Sequence, residues 1–190
     1  DHPDLREYLK QCLQDHYQVL LCKDGQEAWD TGREQMPDLI VSDLMMPGLS
    51  GKELTEKLKV HPQTSHIPLI LLTAKADKEA VKAGLIAGAN DYLAKPFDSE
   101  ELLLRIANIL RQRAQWQKKL ANSNLAPSEE VSLTKTDRDF LHKLKDSLAQ
   151  KFTDPNFGVE DLAAEVSMSK THLNRKLKAL IDESANKTIQ

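Results

Sequence analysis

The 190 residues carry 26 Lys and Arg, 29 Asp and Glu and 6 His, a formal net charge of −3, with 40% hydrophobic and 29% charged residues. That balance describes an ordinary soluble globular protein, long enough for one large or two small domains. Two cysteines, Cys12 and Cys22, without C-x-x-C spacing exclude a disulfide scaffold or a zinc site and fit a reducing cytoplasm. The longest apolar runs, such as residues 68–72, are too short to span a bilayer.

The charge is unevenly spread. Residues 1–113 hold 14 Lys and Arg against 18 Asp and Glu, a net of −4, whereas residues 114–190 hold 12 against 11, a net of +1. Residues 166–180 include Lys170, Arg175, Lys176 and Lys178 and no acid, which points that stretch at an anionic partner. With neither a signal peptide nor an initiator methionine, the sequence is read as an internal fragment.

In chain order, Leu5, Tyr8, Leu9, Cys12 and Leu13 follow helical spacing, and residues 17–21 form a short extended run. Asp24-Gly25 starts a helix through Ala28 and Trp29. Leu39-Ile40-Val41 is apolar without alternation, as expected of a strand buried on both faces; residues 68–72 repeat that signature and Tyr92-Leu93 is a shorter version. Helices fit between them at 52–60 and 77–87. The rhythm predicts a doubly wound α/β fold, a parallel sheet with helices on both sides.

From Glu101 a helix runs through Leu102, Leu103, Ile106, Ile109 and Leu110, with an extension through Trp116 to Leu120 that reads equally as a coiled-coil seam or as a surface helix. Residues 121–133 are polar, contain Pro127, and read as a linker. Everything beyond is helical in pattern. The expected domains are therefore 1–120 and an all-α unit at 134–190.

Three expected strands end in chemically distinct residues: Asp43, Thr73 and, after Tyr92-Leu93, Lys95. In open parallel sheets function gathers at these carboxyl ends. A carboxylate, a hydroxyl and an ammonium suit phosphoryl transfer to a carboxylate, because the oxygens of the incoming group need donors and a cation. Mg²⁺ takes further oxygen ligands, and Asp1 is a second candidate carboxylate. Lys23, Lys52, Lys57 and Lys59 are read as ordinary surface charge.

Asp38-Leu39-Ile40-Val41-Ser42-Asp43-Leu44-Met45-Met46-Pro47-Gly48, Leu71-Leu72-Thr73-Ala74-Lys75 and Gly88-Ala89-Asn90-Asp91-Tyr92-Leu93-Ala94-Lys95-Pro96-Phe97 together resemble the CheY-like receiver family across residues 1–113. The resemblance implies that Asp43 accepts a phosphoryl group from a sensor histidine kinase, and that Asp1, Asp43 and the Met45 backbone carbonyl hold Mg²⁺. It implies that Thr73 and Lys95 contact the phosphoryl group, that Tyr92 is an aromatic switch coupled to Thr73, and that the Lys95–Pro96 peptide is cis. The family carries two adjacent acids after its first strand. This sequence begins at the second, so the first strand is expected to be missing from it. A dehalogenase-type phosphatase needs a second aspartate two residues past the nucleophile, where this sequence has Met45, and that reading fails.

Val159, Leu162, Ala163 and Val166 make one apolar face, Ser167-Met168-Ser169 a tight turn, and Leu173, Leu177 and Leu180 a second stripe. The opposite face offers Lys170, Thr171, His172, Asn174, Arg175 and Lys178, side chains suited to base edges and phosphates. Residues 152–180 resemble the first helix-turn-helix of AraC-type regulators, with Asp182 where that family usually has glycine. The resemblance implies double-stranded DNA as partner, and half of the family's reader alone implies weak, salt-sensitive binding. The combined expectation is a cytoplasmic, phosphorylation-controlled transcription regulator that dimerises on activation. As a fragment it is no enzyme beyond its own phosphorylation and dephosphorylation, it makes no membrane contact, and it belongs to a hybrid sensor kinase-regulator or a stand-alone regulator. The competing expectation is a phosphorelay or protein-interaction receiver whose helical tail does not read DNA.

Overall fold

The computed structural model describes residues 3–74, 84, 86–122, 133–151 and 157–189. They form two compact units: residues 1–59 with 67–110, and residues 60–66 with 111–190. No described helix is long and apolar enough to cross a membrane.

The first unit is an α/β unit. Helices α1 (Pro3–Leu13) and α2 (Gly25–Gln35) precede strand β1 (Ile40–Asp43); α3 (Gly51–Val60), β2 (Leu69–Ala74), β3 (Asp91–Lys95) and α4 (Ser99–Asn122) follow, α4 continuing into the second unit. The strands pair in parallel in the order β1-β2-β3, with Asp43 opposite Leu72 and Leu72 opposite Leu93.

Strand β2 shows why the apolar run carries no alternation. Leu69 and Leu71 pack with Trp29, Leu54 and Leu58 on one face, while Ile70 and Leu72 pack with Leu13, Leu102 and Ile106 on the other. All four are fully buried. Each contributes about 1.5–3 kcal/mol of burial, so the central strand anchors both layers.

Caps set the helix starts where the sequence suggested them. Asp24 accepts from the Glu27 amide at 2.8 Å, and Ser50 and Glu53 form a reciprocal box at the head of α3. The extended run at 17–21 joins no strand among the described residues, and Leu20 and Leu21 remain half exposed. Local extension alone does not make a strand; a hydrogen-bonded neighbour does. Of the helix expected over 77–87, only Gly84, Ile86 and Ala87 are described, and they are helical.

The second unit is helical: the tail of α4, then α5 (Lys135–Lys151), α6 (Val159–Glu165), α7 (Lys170–Ile181) and α8 (Ala185–Ile189). Phe140, Leu141 and Leu144 of α5 meet Leu162 and Ala163 of α6, Leu173, Leu177 and Leu180 of α7, and Ala185 of α8 in one core. The turn between α6 and α7 is closed by a paired C-cap. Ser167 is left-handed at φ 55°, its amide donates to the Ala164 carbonyl (3.0 Å), and the Met168 amide donates to the Ala163 carbonyl (2.8 Å). Ser169 then caps α7 by accepting from the His172 amide. Asp182 ends α7 at φ 57°, the backbone region that favours the glycine expected there. The expected linker at 121–133 lies almost entirely outside the described residues.

Candidate functional site

Parallel pairing brings Asp43, Thr73 and Lys95 to the same edge of the sheet. Asp43 ends β1; Thr73, 2% exposed, stands one position beyond Leu72, the partner of Asp43; Lys95 ends β3. The Lys95 ammonium donates to Asp43 Oδ2, and the Met45 amide donates to Asp43 Oδ1 at 3.3 Å. The carboxylate is thus held on one side by a cation and on the other by a backbone donor, with its side chain mostly buried and that of Lys95 about one-third exposed. Such a carboxylate is oriented and still reachable from one side. The Met45 side chain is 73% exposed and takes no part. The Lys95–Pro96 peptide is cis.

Gly51 is a site residue that the residue types did not flag. A Cβ there would sit 2.2 Å from the Asp43 carbonyl oxygen and 2.9 Å from Leu44 Cα, and the Gly51 amide donates to the Leu44 carbonyl at 3.0 Å. Only glycine lets the start of α3 rest on the backbone that carries Asp43. Its signal was legible: a glycine directly after the α3 cap residue Ser50.

Tyr92 packs against the cluster of Leu54, Leu69 and Leu71, and its hydroxyl is buried with no hydrogen-bond partner among the described residues. Burial pushes the phenol up to about 12. Gly84 makes the space, since a Cβ there would lie 2.3 Å from the hydroxyl oxygen.

Of the lysines read as surface charge, Lys59 is structural, whereas Lys57 stays exposed. Lys59 donates to the Ile67 carbonyl (2.8 Å) and to Asn90 Oδ1 (3.0 Å), which also accepts from the Leu69 amide. Lys57 lies 4.8 Å from the centre of the Trp29 ring. The long aliphatic stem of Lys59 lets its charge reach these acceptors. Among the described residues no three His, Cys, Asp or Glu side chains cluster to hold a metal ion, and Asp1 lies outside those residues.

In the second unit, Thr171, Arg175 and Lys178 are exposed at successive turns of α7, and Lys170 is exposed beside them. Lys170 pairs with Glu160 at 2.7 Å, both well exposed, and His172 Nδ1 lies 2.8 Å from Ser169 Oγ. Asn174 departs from the expectation of a DNA contact. Its side chain donates to the Lys170 carbonyl (3.0 Å) and accepts from the Ala185 amide (2.9 Å), tying α7 to the head of α8. Lys176, counted in the basic stretch, is fully buried. Its ammonium is 2.8 Å from Asp137 Oδ1 and 2.9 Å from Ser65 Oγ, donates also to the Pro62 carbonyl, and lies over the Phe140 ring. Burial pushes Lys176 down. Burial likewise raises the Asp137 carboxyl, but Lys176, Ser65 and Thr134 together bring it below the ordinary carboxylate range.

A parallel α/β unit with an Asp–Lys pair at the carboxyl edge of its sheet is the architecture of a receiver. The chain belongs to the response regulator receiver domain family, whose model matches residues 1–107. Over all 190 residues it is 34% identical to Histidine kinase P4 of Formosa agariphila, and it spans only 14% of that protein's length. Response regulator ArlR of Staphylococcus aureus is 36% identical over 159 residues, covering 77% of this chain and 70% of that protein. The solved receiver domain of sensor histidine kinase PA1611 from Pseudomonas aeruginosa PAO1, described with magnesium coordinated in its active site cleft, is 34% identical. Its TM-score is 0.52, covering 59% of this chain and 89% of that one.

Proposed function

We propose that this chain is the phosphorylation-controlled part of a two-component transcription regulator, taking a phosphoryl group on Asp43 from a sensor histidine kinase. The observation that carries this reading is the Asp43 carboxylate held between the Lys95 ammonium and the Met45 amide. The nucleophile is a carboxylate oxygen. Lys95 neutralises charge on the equatorial phosphoryl oxygens, and the Thr73 hydroxyl, at the neighbouring strand end, donates to them. Asp43 and the Met45 carbonyl are hard oxygen donors of the kind Mg²⁺ takes, with Asp1 as a third ligand. The ion would supply positive charge to the transferring group.

The α7 face of Thr171, Arg175 and Lys178, with Lys170 and His172 at its start, is the proposed contact to duplex DNA in an AraC-type helix-turn-helix. Support comes from the exposure of Thr171, Arg175 and Lys178, the absence of acids from α7 itself and the tight, capped turn before it. Homodimerisation on activation would place two such faces on adjacent sites. The full-length likeness to part of a histidine kinase favours a hybrid sensor kinase-regulator. Incubation of the full-length protein with Mg²⁺ and a small acyl phosphate tests the first half: label enters the wild type and not Asp43→Asn. Salt-dependent binding of specific duplex DNA, lost in Arg175→Ala, tests the second. Labelling without any specific DNA binding leaves the receiver as a relay or docking module.

A further inference from the structure

The helix bearing the exposed basic face is held by more than its apolar core. Lys176 of α7 reaches Ser65 and the Pro62 carbonyl, and Gln117 in the tail of α4 donates to the Lys178 and Ala179 carbonyls at 3.0 and 2.9 Å. These carbonyls belong to the last turn of α7, where the Asp182 amide donates to the Lys178 carbonyl at 3.1 Å and Gln117 adds a second donor from outside the helix. Residues 60–66 and 111–122 all lie in the helical unit. In the chain, however, they run without a break into the receiver strands. Residues 60–66 lead directly into β2, which carries Thr73, and α4 follows β3, which carries Tyr92 and Lys95.

Ser65 is fully buried and does two things at once: it accepts from Lys176 and donates to Asp137 Oδ1 at 2.6 Å. The ammonium therefore has three oxygen acceptors and an aromatic face, a complete set for a buried cation. A charge so enclosed does not slide by half an ångström without losing a partner.

We propose that Lys176 and Gln117 are positioning residues that make the state of α7 depend on the phosphorylation state of Asp43, through the segment before β2 and the helix after β3. The proposal rests on the phosphoacceptor reading above. Lys176 is fully buried, and neither residue belongs to the faces assigned above to DNA or the phosphoryl group. Displacement of the Thr73 and Tyr92 strands is passed along the chain to Ser65 and Gln117, which release or tighten α7.

Hydrogen exchange on the full-length protein in Mg²⁺, with and without beryllofluoride, reads both ends. In the wild type, peptides covering 40–44 and 91–95 and the peptide covering 170–181 are expected to change uptake together. In Ser65→Ala with Gln117→Leu, the strand peptides still respond and the α7 peptide does not. Its basal protection falls about five- to tenfold, as for loss of a side-chain hydrogen bond. Retained protection of 135–151 shows that the helical unit is folded, and each single variant serves as the readout should the double variant unfold. An α7 response as large in the variants as in the wild type overturns the proposal. Strand responses without an α7 response in the wild type overturn it while leaving the phosphoacceptor reading intact. Silence at both ends overturns that reading and the proposal with it.

Discussion

Asp43 and Lys95, 52 residues apart in sequence, meet as an ion pair because β1 and β3 flank β2 in a parallel sheet and end at the same edge. In the proposed chemistry the two play unequal roles. Asp43→Asn removes the nucleophile, so phosphoryl incorporation from an acyl phosphate falls to background. Lys95→Ala removes one preorganised donor and lowers the incorporation rate by about 10²-fold, with the site still usable. Time courses of label incorporation separate the two.

Gly51→Val is expected to destabilise the receiver by about 1–3 kcal/mol, as overpacking against backbone does. The obstacle is the Asp43 carbonyl itself, so α3 cannot yield without moving the site. Urea unfolding followed by far-UV dichroism measures the loss, and phosphorylation of the folded fraction slows with it.

The buried Tyr92 phenol, raised to about 12, makes stability fall in alkali. From about pH 10 the unfolded chain releases this proton while the folded chain keeps it, so stability declines until the folded phenol also ionises near 12. Tyr92→Phe removes this slope. It also deletes a hydroxyl with no partner, so the variant is as stable as the wild type or more so at neutral pH. Melting temperatures from pH 7 to 11 test both statements.

Asp137 and Lys176 form a buried pair in which either single deletion strands a charge. Lys176→Met alone is expected to cost about 3–5 kcal/mol, and Lys176→Met with Asp137→Leu recovers most of it. Because the Asp137 carboxyl is held below its ordinary range, its contribution is present above about pH 3.9 and lost as pH falls through the folded value. Asp137→Asn flattens that acid limb. Denaturant titrations between pH 2 and 6 measure it.

On α7, Asn174 and Lys178 separate folding from recognition. Asn174→Ala loses two hydrogen bonds to backbone and lowers stability by about 1–2 kcal/mol. Lys178→Ala leaves stability within about 0.5 kcal/mol and reduces the salt dependence of DNA binding by about one unit of slope. Fluorescence anisotropy at several salt concentrations distinguishes them.

The local pattern carried the strands and the chemistry of their ends. Residues 39–41, 68–72 and 92–93 read as buried strands and lie in or beside β1, β2 and β3, and the cis Lys95–Pro96 peptide followed from the family motif. The unpaired run at 17–21 shows the limit of that reading, since extension without a neighbour is not a strand. Asn174 read as a DNA contact because its type suits a base edge; its side chain bonds the Lys170 carbonyl of its own helix and the Ala185 amide of the next.

By itself the sequence determined the order of elements, the parallel α/β class of the first unit and the identity of Asp43, Thr73, Tyr92 and Lys95 as the polar groups near its strand ends. These depend on periodicity and residue type, which are local. Tertiary structure alone decided that Lys59 and Lys176 are structural, what a side chain at Gly51 would strike, and that the segment at 60–66 belongs with the helices. Each of these turns on what a distant segment places beside a side chain. Lys176 finds Ser65 across 111 residues, and no window on the sequence distinguishes a lysine that will be solvated from one that will be enclosed.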